Sequence, residues 1–309
     1  MNLTKPLVGR FETIVKGLAE NRAVWVIPQI KEKIDSSSLG NERVIVYPDY
    51  PDSQLEQLLV IGGGVLIDQA KVWRFKKSPN TILSVVPSIW GSGAENSPIA
   101  VLNEGGKKII HIGEEYLPDE RAIWSTLTEG LDVDLLKDAC GDVWAHALEG
   151  FTSPLATPEL REDAAEVIKK LACLKLEQHD EWFEMSAQAC RVQSRASVGL
   201  VHGIAHVLEP ILEGSHNMGL GHAKLCTTFL APTLCYNHEH SDKYRSLFKE
   251  HDLRFDDIKA ATVALFSRTT YDSIKKEVEG NWLTIIKDPS SRTNAALVRK
   301  NAISFFMEY

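Results

Sequence analysis

The spacing of apolar residues changes near residue 130, and this change limits the fold more than any other feature of the chain. Before it, short aliphatic runs alternate with Gly and Pro: residues 23–27 (AVWVI), 43–47 (RVIVY), 58–61 (LLVI) and 81–86 (TILSVV). Each is short, aliphatic and bounded by turn residues, so each reads as a buried strand. Residues 11–18 and 68–75 read as helices between them. Strands alternating with helices imply a parallel, doubly wound sheet. Residues 99–102 and 107–112 flank Asn103-Glu104-Gly105-Gly106, a hairpin signal. After residue 130 the apolar period becomes helical. Thr157-Pro158 is a cap followed by Pro at the first helical position, and Ala164, Val167, Ile168, Leu171 and Leu174 follow at helical spacing. Residues 187–208, 223–234 and 256–266 continue the helical pattern, and a last helix is expected from Thr293 through Phe306. The expected organisation is an α/β domain over residues 1–130 and an all-α domain over 131–309, joined by a short segment at 127–134 with a cleft between them.

Composition supports that division. A length of 309 residues suits two domains of roughly 150 each. With 44% apolar and 25% charged residues, the chain is neither disordered nor a coiled coil. Its net charge of −8 disfavours a nucleic-acid or anionic-membrane surface. No run approaches the ~18 apolar residues of a membrane span. Residues 1–18 carry Lys5, Arg10 and Lys16 without the apolar core of a signal peptide. The expectation is therefore a cytoplasmic protein with neither nucleic acid nor membrane as partner. The five cysteines are scattered, with no C-x-x-C, and read as small buried apolar residues rather than a disulfide framework or zinc ribbon.

Two loops in the first half suit an anion. The strand at 58–61 runs into Gly62-Gly63-Gly64 and then into a helix. Glycines let a ligand approach the backbone, and a helix N-terminus favours a phosphate. The order is not G-x-G-x-x-G, and a tight strand-to-helix turn is the plain alternative. A second loop, Pro87-Ser88-Ile89-Trp90-Gly91-Ser92-Gly93-Ala94-Glu95, follows the next strand. Ligands of open α/β sheets bind at the carboxyl ends of strands, so the two loops together favour a ligand crevice.

In the second half the histidines form a pattern. Asp142 and His146 are four apart, as are His202 and His206, which puts each pair on one helix face. His222 follows Gly221 at a helix start, and His216 lies in the loop before it. One carboxylate and imidazoles from separate helices suit a divalent metal, and residue types alone leave zinc and iron both open. An open position on such a metal would polarise a substrate oxygen. Ordinary surface or capped histidines are the structural alternative.

These segments, in this order, resemble the iron-containing (group III) alcohol dehydrogenases, a superfamily shared with glycerol dehydrogenase and dehydroquinate synthase. GGGVLIDQAK (62–71) is similar to GGGSxxDxAK, and PSIWGSGAENSP (87–98) to PTTxGTGSExxP. DVWAHALEGFTS (142–153) is similar to DALxHAxExxxS, and LVHGIAHVLE with GHAKLCTTFLAPTLCYN to LVHxxAHPLG followed by HGxANAxLLPxxxxxN. The resemblance implies a dehydroquinate synthase-like fold: a nucleotide-binding α/β domain, a helical domain and a metal in the cleft. It implies Asp142, His146, His202 and His222 as ligands of Fe2+ or Zn2+. His222 keeps the family's downstream register and His216 its upstream one, so His216 stands as a rival. It implies His206 as an unligated proton relay. Gly62, Gly63, Gly64 and Asp68 fall by position at the pyrophosphate and ribose of NAD or NADP, and Ser88 and Ser92 near the nicotinamide. The implied activity is a metal-dependent alcohol dehydrogenase or aldehyde reductase acting on a small alcohol or aldehyde, in a homodimer or larger assembly.

The chain also departs from the family pattern. Val65 replaces a serine, and Ile89-Trp90 replace a small polar pair, placing an indole where it would crowd a nicotinamide or stack on substrate. About ten residues separate the second and third strands, where a parallel crossover normally takes a dozen or more. Two further readings follow: a dehydroquinate synthase-like cyclase or lyase, disfavoured by the lack of a lysine in the second loop, and a divergent member with weakened cofactor binding.

Overall fold

The computed structural model describes residues 7–8, 21–34, 43–52, 54–104, 107–215 and 220–309. The helix expected at 11–18, the turn at 105–106 and His216 lie outside the described residues. The chain divides into two compact units: Met1–Leu131 with His179–Ala187, and Asp132–Gln178 with Gln188–Tyr309.

The first unit is built on a parallel six-stranded sheet. Its strands are β1 (Leu7–Val8), β2 (Arg22–Val26), β3 (Arg43–Val46), β4 (Gln57–Gly62), β5 (Ile82–Pro87) and β8 (Glu120–Ile123). They lie in the order β1-β8-β5-β4-β2-β3. Two helices are described in this segment, α1 (Pro28–Lys33) and α2 (Gly64–Lys77), together with an antiparallel hairpin, β6 (Ile99–Glu104) and β7 (Lys107–Ile112). The central strands are largely apolar because both faces are covered, and the buried polar pair Gln57 and Ser84 is satisfied by a mutual hydrogen bond. Val24, Val26, Leu59 and Ile61 pack on one side with Ile30 and Leu127. Ala23, Trp25, Leu58 and Val60 pack on the other with Leu66, Ile67 and Ala70 of α2. The chain leaves β2 outward to β3 and returns on its other side as β4, so the order reverses between β2 and β4. Carboxyl ends at such a reversal are where ligands of these sheets bind.

In the short crossover from β3 to β4, residues 47–52 and 54–56 are described, and none of them is helical. Ten residues reach about 33 Å when extended, enough to return along a four-residue strand and cross two strand spacings of about 4.8 Å. The segment seals the sheet with its own side chains. Leu55 and Tyr47 pack against the Trp25 cluster, Tyr50 lies against Trp25 at 5.1 Å, and the Trp73 indole donates to the Pro51 carbonyl.

The second unit is helical, in α3 (Val133–Thr152), α4 (Pro158–Leu171), the later part of α5 (His179–Ala196), α6 (Leu200–Ser215), α7 (His222–His240), α8 (Asp242–Glu250), α9 (Phe255–Val263), α10 (Arg268–Ile285), α11 (Pro289–Arg292) and α12 (Ile303–Glu308). Thr157 caps α4 and Pro158 opens it. Two expectations are corrected. The helix expected over 187–208 is broken between α5 and α6, where Ser197 adopts a left-handed φ of 74°. The helix expected from Thr293 does not start there. Thr293 Oγ1 instead donates to the Val198 carbonyl and Asn294 Oδ1 accepts from Leu200 N–H, so both side chains satisfy the backbone at the α5–α6 break. Among the described residues no helix is long and apolar enough to cross a membrane.

Candidate functional site

In the second unit, α3 carries Asp142, His146 and Glu149 on one buried face, and His202 lies in the first turn of α6. Gly199 is what allows α6 to start here. A Cβ on it would meet Glu149 Oε1 at 2.8 Å and Asn294 Oδ1 at 3.1 Å. Glu149 is thus drawn under the α6 N-terminus, where Oε1 accepts from Val201 N–H at 2.6 Å and Oε2 faces His202 Nδ1 at 2.7 Å. Burial pushes the Glu149 carboxyl up to about 7, against the backbone N–H groups that hold it. With Nδ1 of His202 turned to Glu149, its Nε2 faces Asp142 Oδ1 at 3.7 Å. His222, the first residue of α7, is held the same way: Nδ1 lies 3.2 Å from Glu209 Oε2, and Nε2 lies 3.6 Å from Cys226 Sγ, one helical turn along. A carboxylate on the far nitrogen is the usual way a metal-binding histidine is oriented.

Asp142, His202, His222 and Cys226 therefore present one donor atom each, all within 4.8 Å of one another. Two of these atoms, Asp142 Oδ1 and His202 Nε2, are buried with no hydrogen-bond partner. A buried carboxylate oxygen with nothing to bond is costly, and a cation between the donors removes that cost. Two N or O ligands of one tetrahedral zinc lie about 3.3 Å apart, close to the 3.7 Å seen between Asp142 and His202. The donor set fits a divalent metal. Burial works against the Asp142 charge, but the imidazoles of His146, His222 and His202 outweigh it and keep the carboxyl below its ordinary value. Burial, reinforced by His146 and His222, holds the His202 pKa well below that of a free histidine, which leaves it neutral and able to ligate.

His146 stacks on His202 with ring centroids 4.7 Å apart and its Nε2 3.9 Å from Asp142 Oδ1, beside the four converging donors. His206 is partly exposed next to His202 and His222, with Nδ1 3.4 Å from Ser290 Oγ and 3.7 Å from Asp288 Oδ1. The sequence reading overlooked Cys226, Glu149 and Glu209. Cys226 is four residues after His222 and Glu149 three after His146, spacings that share a helix face but do not by themselves mark a site.

In the first unit, Gly63 caps α2 after β4, and a Cβ added to it would meet nothing within 4 Å. Gly62 and Gly64 are tight: a Cβ on Gly62 would meet Leu66 at 2.8 Å, and one on Gly64 would meet Ser92 Oγ at 2.6 Å. The last contact brings the two loops together. Ser88 N–H donates to the Gly62 carbonyl, and Gly93 takes a left-handed φ of 59° to turn the second loop. Ser92 and Val65 are exposed beside the open Gly63. Asp68 is engaged on both oxygens, by Lys71 at 3.0 Å and by Val101 N–H at 2.9 Å, so it braces β6 against α2. Trp90 is buried and packs against Trp182, Phe183 and His179.

No protein-family model matches the chain. An alcohol dehydrogenase of Thermococcus barophilus is 25% identical, with 52% of this chain aligned to 50% of that one. The chain spans about half the length of the curated relatives it matches. Solved structures match throughout. An iron-containing alcohol dehydrogenase of Corynebacterium glutamicum superposes with a TM-score of 0.80 at 18% identity, over 98% of this chain and 93% of that one. The chain has the fold of the iron-containing alcohol dehydrogenases. A sulfoacetaldehyde reductase of Bifidobacterium kashiwanohense, solved with NAD+, shares this alcohol dehydrogenase fold at a TM-score of 0.75 and 17% identity, over 98% and 96% of the two chains.

Proposed function

We propose that the protein is a metal-dependent, NAD(P)-linked alcohol dehydrogenase or aldehyde reductase acting on a small alcohol or aldehyde. The observation that carries this reading is the convergence of donor atoms from Asp142, His202 and His222, two of them buried without a hydrogen-bond partner, in a fold shared with iron-containing alcohol dehydrogenases. When bound, the metal supplies Lewis-acid polarisation of a substrate oxygen and the dinucleotide supplies or accepts the hydride.

The chain's own residues prepare that chemistry. Asp142, His202 and His222 hold the ion, with His146 beside Asp142. Glu149 and Glu209 fix the two outer imidazoles so that each Nε2 points inward. His206 carries the proton, with Asp288 and Ser290 beside its Nδ1. Gly62, Gly63 and Gly64 lead into the α2 N-terminus, whose free N–H groups suit a pyrophosphate, and Ser88 and Ser92 belong to the adjoining loop. Asp68 serves this loop by bracing β6 against α2.

The test is turnover of NADH or NADPH with a panel of small aldehydes by the metal-loaded protein. We expect oxidation of the nicotinamide with at least one aldehyde, lost on chelation and in His202→Ala. If neither dinucleotide binds at millimolar concentration, the proposal is wrong.

A further inference from the structure

We propose that Cys226 is itself a metal ligand, completing an Asp142, His202, His222 and Cys226 donor set, and that its thiolate makes zinc the preferred ion. This inference rests on the metal reading above and adds a donor to it.

The geometry is that of shared coordination. Sγ of Cys226 lies 3.6 Å from Nε2 of His222. A sulfur 2.3 Å and a nitrogen 2.0 Å from one tetrahedral zinc are about 3.5 Å apart. The two residues stand one turn apart on α7, so a single helix face presents both. The other two donor atoms come from α3 and α6, and both are the buried, unpartnered ones, Asp142 Oδ1 and His202 Nε2. Packing keeps Cys226 within reach. Gly141, beside Asp142, faces Thr227, beside Cys226, and a Cβ at 141 would meet Thr227 Oγ1 at 1.9 Å. This close approach of α3 and α7 sets the carboxylate and the sulfur on one pocket.

Charge and softness give the preference. With one carboxylate and one thiolate the ligating atoms themselves match the charge of a divalent ion, whereas Asp142 with imidazoles alone supplies half of it directly. Thiolate donors favour zinc and disfavour hard, oxygen-seeking ions. On coordination the Sγ–H bond breaks, its proton passes to solvent and the sulfur lone pair binds the ion, with no change in oxidation state. Substrate access then requires a fifth position, which zinc can open.

The experiment is titration of Co2+ into the metal-stripped full chain, followed by absorption. We expect visible ligand-field bands together with a near-ultraviolet sulfur-to-cobalt charge-transfer band. Cys226→Ser should keep the visible bands and lose the charge-transfer band, and should bind zinc roughly ten-fold or more weakly. A Cys140→Ser control should retain both features. Visible bands without charge transfer in the unaltered protein, or charge transfer that persists in Cys226→Ser, overturn the inference and leave the metal reading standing. Failure to bind cobalt at all overturns both. The spectrum of the unaltered protein decides the matter even if the variant folds poorly.

Discussion

His206 differs from His202 in what surrounds it. His202 is buried with Nδ1 tied to Glu149, whereas His206 is partly exposed and stands beside Asp288 and Ser290. A proton carrier needs solvent contact and a ligand does not. His206→Ala should therefore lower kcat by about 10²- to 10⁴-fold, the usual range for a general acid–base, while metal content by elemental analysis stays unchanged. Glu149→Gln should do the reverse. It preserves shape but disturbs the bond that orients His202, so metal affinity should fall about 10- to 100-fold in a competitive chelator titration. These residues also mark what the sequence disclosed. Asp142, His202 and His222 were legible because carboxylate and imidazole are unusual in apolar helices. Cys226 was not, because a cysteine in an apolar helix has the same pattern whether it packs or ligates. Glu149 and Glu209 act through a second residue, and no spacing rule distinguishes them from solvated glutamates.

Helices place these groups, and two contacts bear on how they do so. Gly141 sits where α3 meets α7, and an added Cβ would also come within 2.8 Å of the Thr227 Cα, which is backbone and cannot swing aside. Gly141→Ala gains about 1 kcal/mol of helix propensity but overpacks the interface at a cost of about 1–3 kcal/mol, more when backbone must shift. We expect a net loss of about 1–2 kcal/mol in chemical denaturation, with weaker metal binding. Asp288 caps α11 by accepting from Ser290 N–H at 2.8 Å. Burial would raise its pKa, but the His206 imidazole and the Ser290 N–H lower it below the ordinary 3.8. A depressed carboxyl contributes its stability above the unfolded value and loses it as acid protonates the folded state. Asp288→Ala should therefore cost about 1 kcal/mol at neutral pH, and that gap should close when denaturation is repeated below pH 3.8. At this scale the sequence predicted strands better than helix ends. The strands at 22–26, 57–62 and 82–87 lie inside the sheet and carry a largely apolar signal, and the half-buried edge strand at 43–46 keeps Val44, Ile45 and Val46. β8 (Glu120–Ile123) was missed because half of it is charged, and the break at Ser197 was missed because the residues that stabilise it, Thr293 and Asn294, are about a hundred positions away.

For the whole molecule, the two halves present different chemistries. The first unit offers a glycine-lined, open strand end, and the second a buried set of donors with unmet valence. The shortened crossover leaves from the β3 edge of the sheet, and Tyr47, Tyr50 and Leu55 do the sealing that a helix would otherwise do. The missing helix was legible as a length deficit. Its replacement was not, because aromatic packing by Tyr47 and Tyr50 leaves no periodic trace. The fold class was legible throughout, since it follows from which segments alternate and which do not.

A bound metal must also stabilise the chain that holds it. At 100-fold above its Kd, an ion that binds only the folded state adds about 2.7 kcal/mol. Thermal unfolding of the metal-free and zinc-loaded protein, run beside His202→Ala, measures that increment and its source together. The account predicts one ion per chain, a clear rise in Tm on loading and no rise in His202→Ala. An unchanged Tm in the unaltered protein, or an equal rise in the variant, would contradict it.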